Sequence, residues 1–173
     1  MSNAAAKPVL ELRAIQYNAR MSEETSNYAA TLYVDGEKWG TVGNDGHGGC
    51  DRFHGEGRNW NDVAALNERI KATYEPITLG SGEQSITVEP DLETLCGEIL
   101  GDHLIRKQMV GDFKSKVVFQ AKGETHISVI KMDKKFTPET YFKFVAEKYE
   151  GCTILNTMPV AEAFPIYKAG TAG

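Results

Sequence analysis

The sequence lacks the features that would place it in a membrane or in a disulfide-bonded secreted class. Its longest unbroken apolar run is four residues, Val63-Ala64-Ala65-Leu66, whereas a membrane-spanning helix needs about 20. Residues 1–7 are small and polar with no apolar stretch behind them, which predicts no secretory signal peptide. Cysteine is scarce: the three residues are odd in number and widely spaced, so we expect reduced thiols in a cytoplasm.

The chain also lacks a basic excess and any internal repeat. Its 24 acids outnumber its 19 bases, for a net charge of −5, which disfavours a dedicated nucleic-acid binder. With 173 residues, of which 41% are hydrophobic, the chain can bury a core without a metal or disulfide staple. Length and composition therefore predict a single globular domain over residues 1–173.

The charge is distributed unevenly along the chain. Residues 1–105 hold 8 bases and 17 acids, whereas residues 106–135 hold 8 bases and 3 acids. Residues 83–102 contain six acids and no base. One interpretation is an acidic face for a basic partner. The other is a solvated helix face followed by lysines at a sheet edge, where they discourage edge-to-edge pairing.

Strand and turn patterns predict an antiparallel β-meander at the start of the chain. Alternation of apolar and polar residues indicates strands over residues 9–18, 28–35 and 38–42. Asp35-Gly36 has the composition of a two-residue hairpin turn, in which both residues need positive φ.

Helical spacing dominates the middle of the chain, and strands return after it. Asn59 or Asn61 can cap a helix that runs to Tyr74 with Trp60 on its buried stripe, and Asp91 can cap a second amphipathic helix. The remaining elements are a turn at Gly80-Ser81-Gly82, a strand over 85–89, a hairpin around Lys122-Gly123, a helix from Thr137, a strand over 152–155, and a short helix over 159–164 that is broken or kinked at Pro165. This order predicts an α+β fold: an N-terminal antiparallel β-meander, two amphipathic helices, then a hairpin, helix and strand packed as one domain, with a subdomain division allowed near residues 80–85.

The glycine-rich segment of residues 43–54 has the most chemical content. It holds four glycines, two histidines, two aspartates and one cysteine, between a predicted strand and a predicted helix. His47, Cys50 and His54 follow an H-x2-C-x3-H spacing whose imidazoles and thiolate suit zinc. Asp45 or Asp51 can add an oxygen ligand. The paired-cysteine knuckle of common zinc sites is missing, and the sequence does not identify a fourth ligand.

Two other interpretations of this segment stay open. In the first, Cys50 is a thiol nucleophile, His47 or His54 lowers its pKa, and Asp45 or Asp51 orients the base. In the second, the segment is a tight turn in which Cys50 and Phe53 enter the core.

Three stretches together carry a resemblance. Asn44-Asp45-Gly46-His47-Gly48-Gly49-Cys50, His103-Leu104-Ile105-Arg106-Lys107, and Ile154-Leu155-Asn156-Thr157-Met158-Pro159 before Ala161-Glu162-Ala163 resemble segments of small uncharacterised proteins of bacteriophages and other mobile elements. The resemblance implies a setting and brings no residue roles. Accessory proteins in that setting often bind a macromolecule, so it favours binding over catalysis.

These observations lead to a functional hypothesis with one alternative. We expect a non-catalytic accessory protein that acts through protein–protein contacts, with no cofactor, no membrane and no nucleic acid. The alternative is a small hydrolase or metal-dependent enzyme centred on Asp45, His47, Cys50 and His54, with zinc as the metal. The predicted binding surface consists of Asp45, His47, Asp51, Arg52, Glu93 and Glu98.

Overall fold

The computed structural model of the chain describes residues 6–79 and 85–171, which form two compact units. The first unit is Met1–Gly101 and the second is Asp102–Gly173. The predicted turn at Gly80-Ser81-Gly82 lies outside the described residues, as do the first five residues of the proposed division near 80–85. Within the described residues, no helix is long and apolar enough to cross a bilayer.

The first unit begins with the predicted meander. Its strands are β1 (Leu10–Tyr17), β2 (Tyr28–Val34), β3 (Glu37–Asn44) and β4 (Arg52–Gly55), and each pairs antiparallel with the next. Asp35 and Gly36 have φ values of 52° and 83°, which confirms the predicted hairpin turn. Alternate residues of β2 are buried, from Tyr28 to Val34, so one face of this sheet carries the core of the unit.

Strand β4 corrects the expectation that residues 43–54 form one loop before a helix. Phe53 pairs with Val42 and Arg52 pairs with Gly43, so the end of the segment belongs to the sheet. The glycine-rich loop is therefore the β3–β4 connection of residues 45–51. Four residues, Arg-Phe-His-Gly, are too short to show an alternating pattern, which is why the strand was not predicted.

One helix and the start of a second complete the first unit, which ends at Gly101, and a short hairpin of β5 (Ile77–Leu79) and β6 (Ile86–Val88) lies between them in the sequence. Asn59 caps α1 (Trp60–Lys71), and Asp91 accepts the Thr94 N–H at 2.8 Å at the start of α2 (Leu92–Phe113). Both caps were predicted. The expectation of a core position for Trp60 is wrong: it is 85% exposed, because Leu66 and Ile70 carry the buried stripe of α1.

The second unit contains the predicted hairpin, helix and strand. Its sheet has the order β8-β7-β9, with β7 (Lys116–Gln120), β8 (Ser128–Lys131) and β9 (Thr153–Ile154). Thr137 caps α3 (Pro138–Lys148), as predicted. The whole chain is therefore α+β.

The last helix, α4 (Val160–Thr171), corrects the predicted break at Pro165. The helix continues through this proline, although the proline supplies no N–H to the preceding turn. Phe164 and Tyr167 are buried on either side of it, and their packing stabilises the helix despite the missing hydrogen bond.

A buried polar group accompanies this core. Tyr167 is 1% exposed, and its hydroxyl donates to Asp112 Oδ2 at 2.8 Å. Lys116 Nζ lies 2.8 Å from the other oxygen of the same carboxylate. Burial opposes ionisation of Asp112, but the lysine and the hydroxyl together hold its pKa below the ordinary value.

Candidate functional site

The β3–β4 loop is organised by one asparagine side chain. Asn44 Oδ1 accepts the Thr25 hydroxyl at 2.7 Å and the Gly46 N–H at 2.9 Å. Its Nδ2 donates to Gly49 O and to Asp51 Oδ1, both at 3.1 Å. All four contacts fall within the loop or its neighbour, so Asn44 sets the loop conformation and the position of Asp51 together.

Gly46 joins this loop to the β1–β2 connection. Its carbonyl accepts the backbone N–H groups of Glu23, Glu24 and Thr25 at 3.0, 3.0 and 3.4 Å. Its φ is +87°, and a Cβ built at this position would lie 2.0 Å from Met21 O. Only glycine fits here, which accounts for one of the four glycines on structural grounds.

The polar residues around the start of the loop pair with one another. Asp45 accepts the guanidinium of Arg52, and its Oδ1 accepts the His47 N–H at 3.5 Å. The His47 N–H and then Arg52 lower the pKa of Asp45. His47 Nδ1 lies 3.3 Å from Glu23 Oε2, whereas His54 is exposed on β4 opposite Thr41. Asp45 therefore orients neither imidazole.

The structure does not assemble the hypothesised metal site. In residues 6–79 and 85–171, no three His, Cys, Asp or Glu side chains are grouped so that they could hold one ion. His47 lies beside Glu23, His54 lies opposite Thr41 on β4, and Cys50 lies beside Glu93. The H-x2-C-x3-H spacing fails because β4 begins at Arg52 and carries His54 along the sheet.

The surroundings of Cys50 also oppose the thiol-nucleophile interpretation. Cys50 is exposed, so the expectation that it enters the core is wrong. The charge of the Glu93 carboxylate raises the pKa of the Cys50 thiol, and the charges of Asp51 and Asp91 raise it further. An activated nucleophile needs the opposite shift. Among the described residues, neither His47 nor His54 makes a hydrogen bond to Cys50.

Asp51 connects the loop to the start of α2. Its Oδ2 accepts the hydroxyl of buried Tyr28, and its backbone N–H donates to Glu93 Oε1 at 3.0 Å. Burial, and then the Asp51 carboxylate, raise the pKa of Tyr28 well above its ordinary value. Asp51 is thus held by a tyrosine, an asparagine and a glutamate that lie far apart in the sequence.

A cavity of about 300 Å³ opens at this junction. It lies at the lower end of the roughly 300–1,000 Å³ range of small-ligand sites. Asn67 belongs to its lining, and its side-chain oxygen accepts the Leu92 N–H at 2.8 Å, which joins α1 to the start of α2. The apolar wall consists of Val42, Phe53, Trp60, Val63 and Leu92.

Three carboxylates line the same cavity: Asp51, Asp91 and Glu93. In the part of the chain that the structure describes, none of them forms an ion pair with lysine, arginine or histidine. Their charge also acts on the buried thiol of Cys96. Burial, and then the three carboxylates, raise the pKa of Cys96 to about 12. The cavity thus combines an apolar wall with uncompensated negative charge.

The cavity brings some of the predicted surface residues together and leaves others apart. Asp51 and Glu93 line it, with the candidate nucleophile Cys50 beside them. Asp45, Arg52 and His54 line a different, shallower cleft of about 270 Å³. His47 and Glu98 line neither of these two.

Of the cavity residues on which a ligand could act through charge or an aromatic ring, Asp91 and Trp60 were not named as site residues. Asp91 was interpreted as a helix cap and as one of the six acids of residues 83–102, and Trp60 only as a core residue. The position of Trp60 directly after the capping Asn59 was the available signal, because the first residue of a helix has no preceding turn of its own helix to pack on.

Comparison of the chain with protein-family models, with curated proteins and with solved structures found no match.

Proposed function

We propose that this protein is a non-catalytic interaction protein that binds a protein partner through the cavity between the β3–β4 loop and the start of α2. The observation that carries the proposal is Trp60, which is 85% exposed and lines the cavity together with three carboxylates that form no ion pair among the described residues. Tryptophan is enriched among the residues that dominate binding energy, and exposure of one in a concave apolar site is typical of an interaction surface.

The resemblance to proteins of phages and mobile elements supports an accessory role for such a contact. Cys50, Cys96 and Cys152 are all free thiols, and this supports a reducing, cytoplasmic setting. The enzyme alternative has less support, because among the described residues neither His47 nor His54 makes a hydrogen bond to Cys50 and no three metal-ligating side chains are grouped around one point.

The proposal is tested by affinity capture from the native host, followed by binding measurements with the purified captured protein. Trp60→Ala should weaken binding of that protein about thirtyfold, or about 2 kcal/mol. Glu68→Gln is the control, because Glu68 is exposed on α1, the helix of Trp60, and does not line the cavity, and this variant should bind as the wild type does.

Two outcomes contradict the proposal. One is a purified partner that binds saturably and whose affinity does not change with Trp60→Ala. The other is capture of DNA or RNA alone, with a strong dependence on salt.

A further inference from the structure

We infer that the cavity is a recognition pocket for an arginine side chain of the protein partner, an inference that rests on the proposed function. The cavity is lined by three carboxylates, Asp51, Asp91 and Glu93, and by Trp60, which is 85% exposed. A ligand that fits both must carry positive charge and a flat surface.

The charge of the pocket is arranged for an external cation. Asp91 uses one oxygen to cap α2 at the Thr94 N–H, and Glu93 uses one oxygen for the Asp51 N–H. Neither carboxylate meets a cationic side chain among the described residues. Residues 1–101 as a whole hold 8 bases and 16 acids, so the unit contributes a long-range field of the same sign.

A guanidinium matches this pocket better than an ammonium group does. It is planar, stacks on indole rings, and donates several N–H groups in a fork that fits carboxylate oxygens. It is also less strongly hydrated than an ammonium, so it enters a partly apolar cavity at a smaller desolvation cost. The alkyl part of the side chain would lie against the wall formed by Val63 and Leu92.

The test uses three capped tripeptides, Gly-Arg-Gly, Gly-Lys-Gly and Gly-citrulline-Gly, as probes. Citrulline keeps the shape of arginine and removes the charge. The readout is the isotope-labelled indole N–H signals in NMR titrations, because the chain contains two tryptophans. Trp39, stacked on Arg58 at 4.3 Å, is the internal reference for Trp60.

The arginine peptide should shift the Trp60 signal saturably, and the lysine and citrulline peptides should bind at least about tenfold more weakly. Asp91→Asn and Glu93→Gln should each weaken the arginine peptide about tenfold. Both variants keep the oxygen that accepts a backbone N–H, so they remove charge and preserve the fold. Glu68→Gln, at an exposed carboxylate of α1 that does not line the cavity, should leave the titration unchanged.

Equal binding of the citrulline or lysine peptide would overturn the inference, as would the absence of a saturable Trp60 shift or indifference to both carboxylate variants. The two proposals can fail separately. If the purified partner is lost with Trp60→Ala but the arginine peptide does not bind, the inference fails and the proposed function stands. If the arginine peptide binds as expected and the partner ignores Trp60→Ala, the proposed function fails.

Discussion

Each unit buries a tyrosine whose hydroxyl donates to an aspartate, and the two pairs differ in what else the aspartate meets. In the second unit, Tyr167 binds Asp112, and Lys116 compensates the charge of that carboxylate. In the first unit, Tyr28 binds the carboxylate of Asp51, and the other hydrogen-bond donor to that carboxylate among the described residues is the neutral amide of Asn44. The charge of Asp112 is therefore compensated by a lysine, whereas Asp51 keeps its negative charge in a position fixed by hydrogen bonds.

The way each aspartate is positioned differs as well. The position of Asp112 is set by the regular backbone of α2, whereas the position of Asp51 depends on a loop whose conformation is set by Asn44 and Gly46. Uncompensated charge and special backbone conformations lower stability, and they concentrate at functional sites. The comparison therefore supports the proposal that the binding surface lies in the first unit.

The largest expected effect is on the loop that positions Asp51. Gly46→Ala should destabilise the first unit by about 3 kcal/mol, because the new Cβ would overlap Met21 O and the backbone has positive φ. Urea denaturation followed by tryptophan fluorescence reports this unit, since both tryptophans lie in it.

Gly49→Ala is the matched control in the same loop. Gly49 also has positive φ, but a Cβ there meets nothing within 4 Å, so we expect a cost of only about 1 kcal/mol. Equal losses for the two variants would show that close packing against the β1–β2 connection does not shape this loop.

The next effect is a loss of stability at alkaline pH, which we expect from the Tyr167–Asp112 pair of the second unit. Burial, and then Asp112, raise the pKa of Tyr167 to about 12. A tyrosine whose pKa is higher in the folded state contributes stability that is complete below its unfolded pKa of about 10 and is lost as the pH rises toward the folded value. We expect a loss of about 2 kcal/mol from this group between pH 10 and about 12.

Tyr167→Phe separates this contribution from the other tyrosines. The variant keeps the ring and removes the titrating hydroxyl, so its stability should fall less steeply over the same pH range in denaturation experiments followed by circular dichroism. An unchanged alkaline slope would mean that the Tyr167–Asp112 hydrogen bond contributes little to folding.

The smallest effect measures the uncompensated charge directly. Glu93→Gln removes the carboxylate that most raises the pKa of Cys50, so the thiolate fraction near neutral pH should rise and alkylation of Cys50 should become about fivefold faster. Mass spectrometry distinguishes Cys50 from Cys96, which is buried, and from Cys152, which is half-buried. Glu98→Gln should leave the rate unchanged, and a faster reaction in that variant would place the effective charge elsewhere on α2.

Local signals in the sequence were enough to predict much of the fold. The Asp35-Gly36 turn, the Asn59 and Asp91 caps and the Thr137-Pro138 helix start each depend on a few neighbouring residues, and all four are present in the structure. Such features depend on backbone geometry and hydrogen bonds that a short stretch of chain completes by itself.

The candidate site could be predicted only in part, because it depends on residues that are distant in the sequence. Asp51 and Glu93 were both predicted surface residues, but their hydrogen bond joins positions 42 residues apart. Trp60 is exposed at the cavity because it is the first residue of α1, and the buried residues of this helix, Leu66 and Ile70, come later in it. The helix through Pro165 was missed for a similar reason, since burial of Phe164 and Tyr167 outweighs the local preference of proline.

The strand orders of the two units also have a consequence for the time course of folding during synthesis. Every pairing in the meander joins consecutive strands, so the sheet can form as soon as Gly55 has left the ribosome. In the second unit, α3 lies between β7 and β9 in the sequence, so Gln120 cannot pair with Thr153 until α3 has been synthesised. The sheet of the first unit can therefore be complete while the second is still being synthesised.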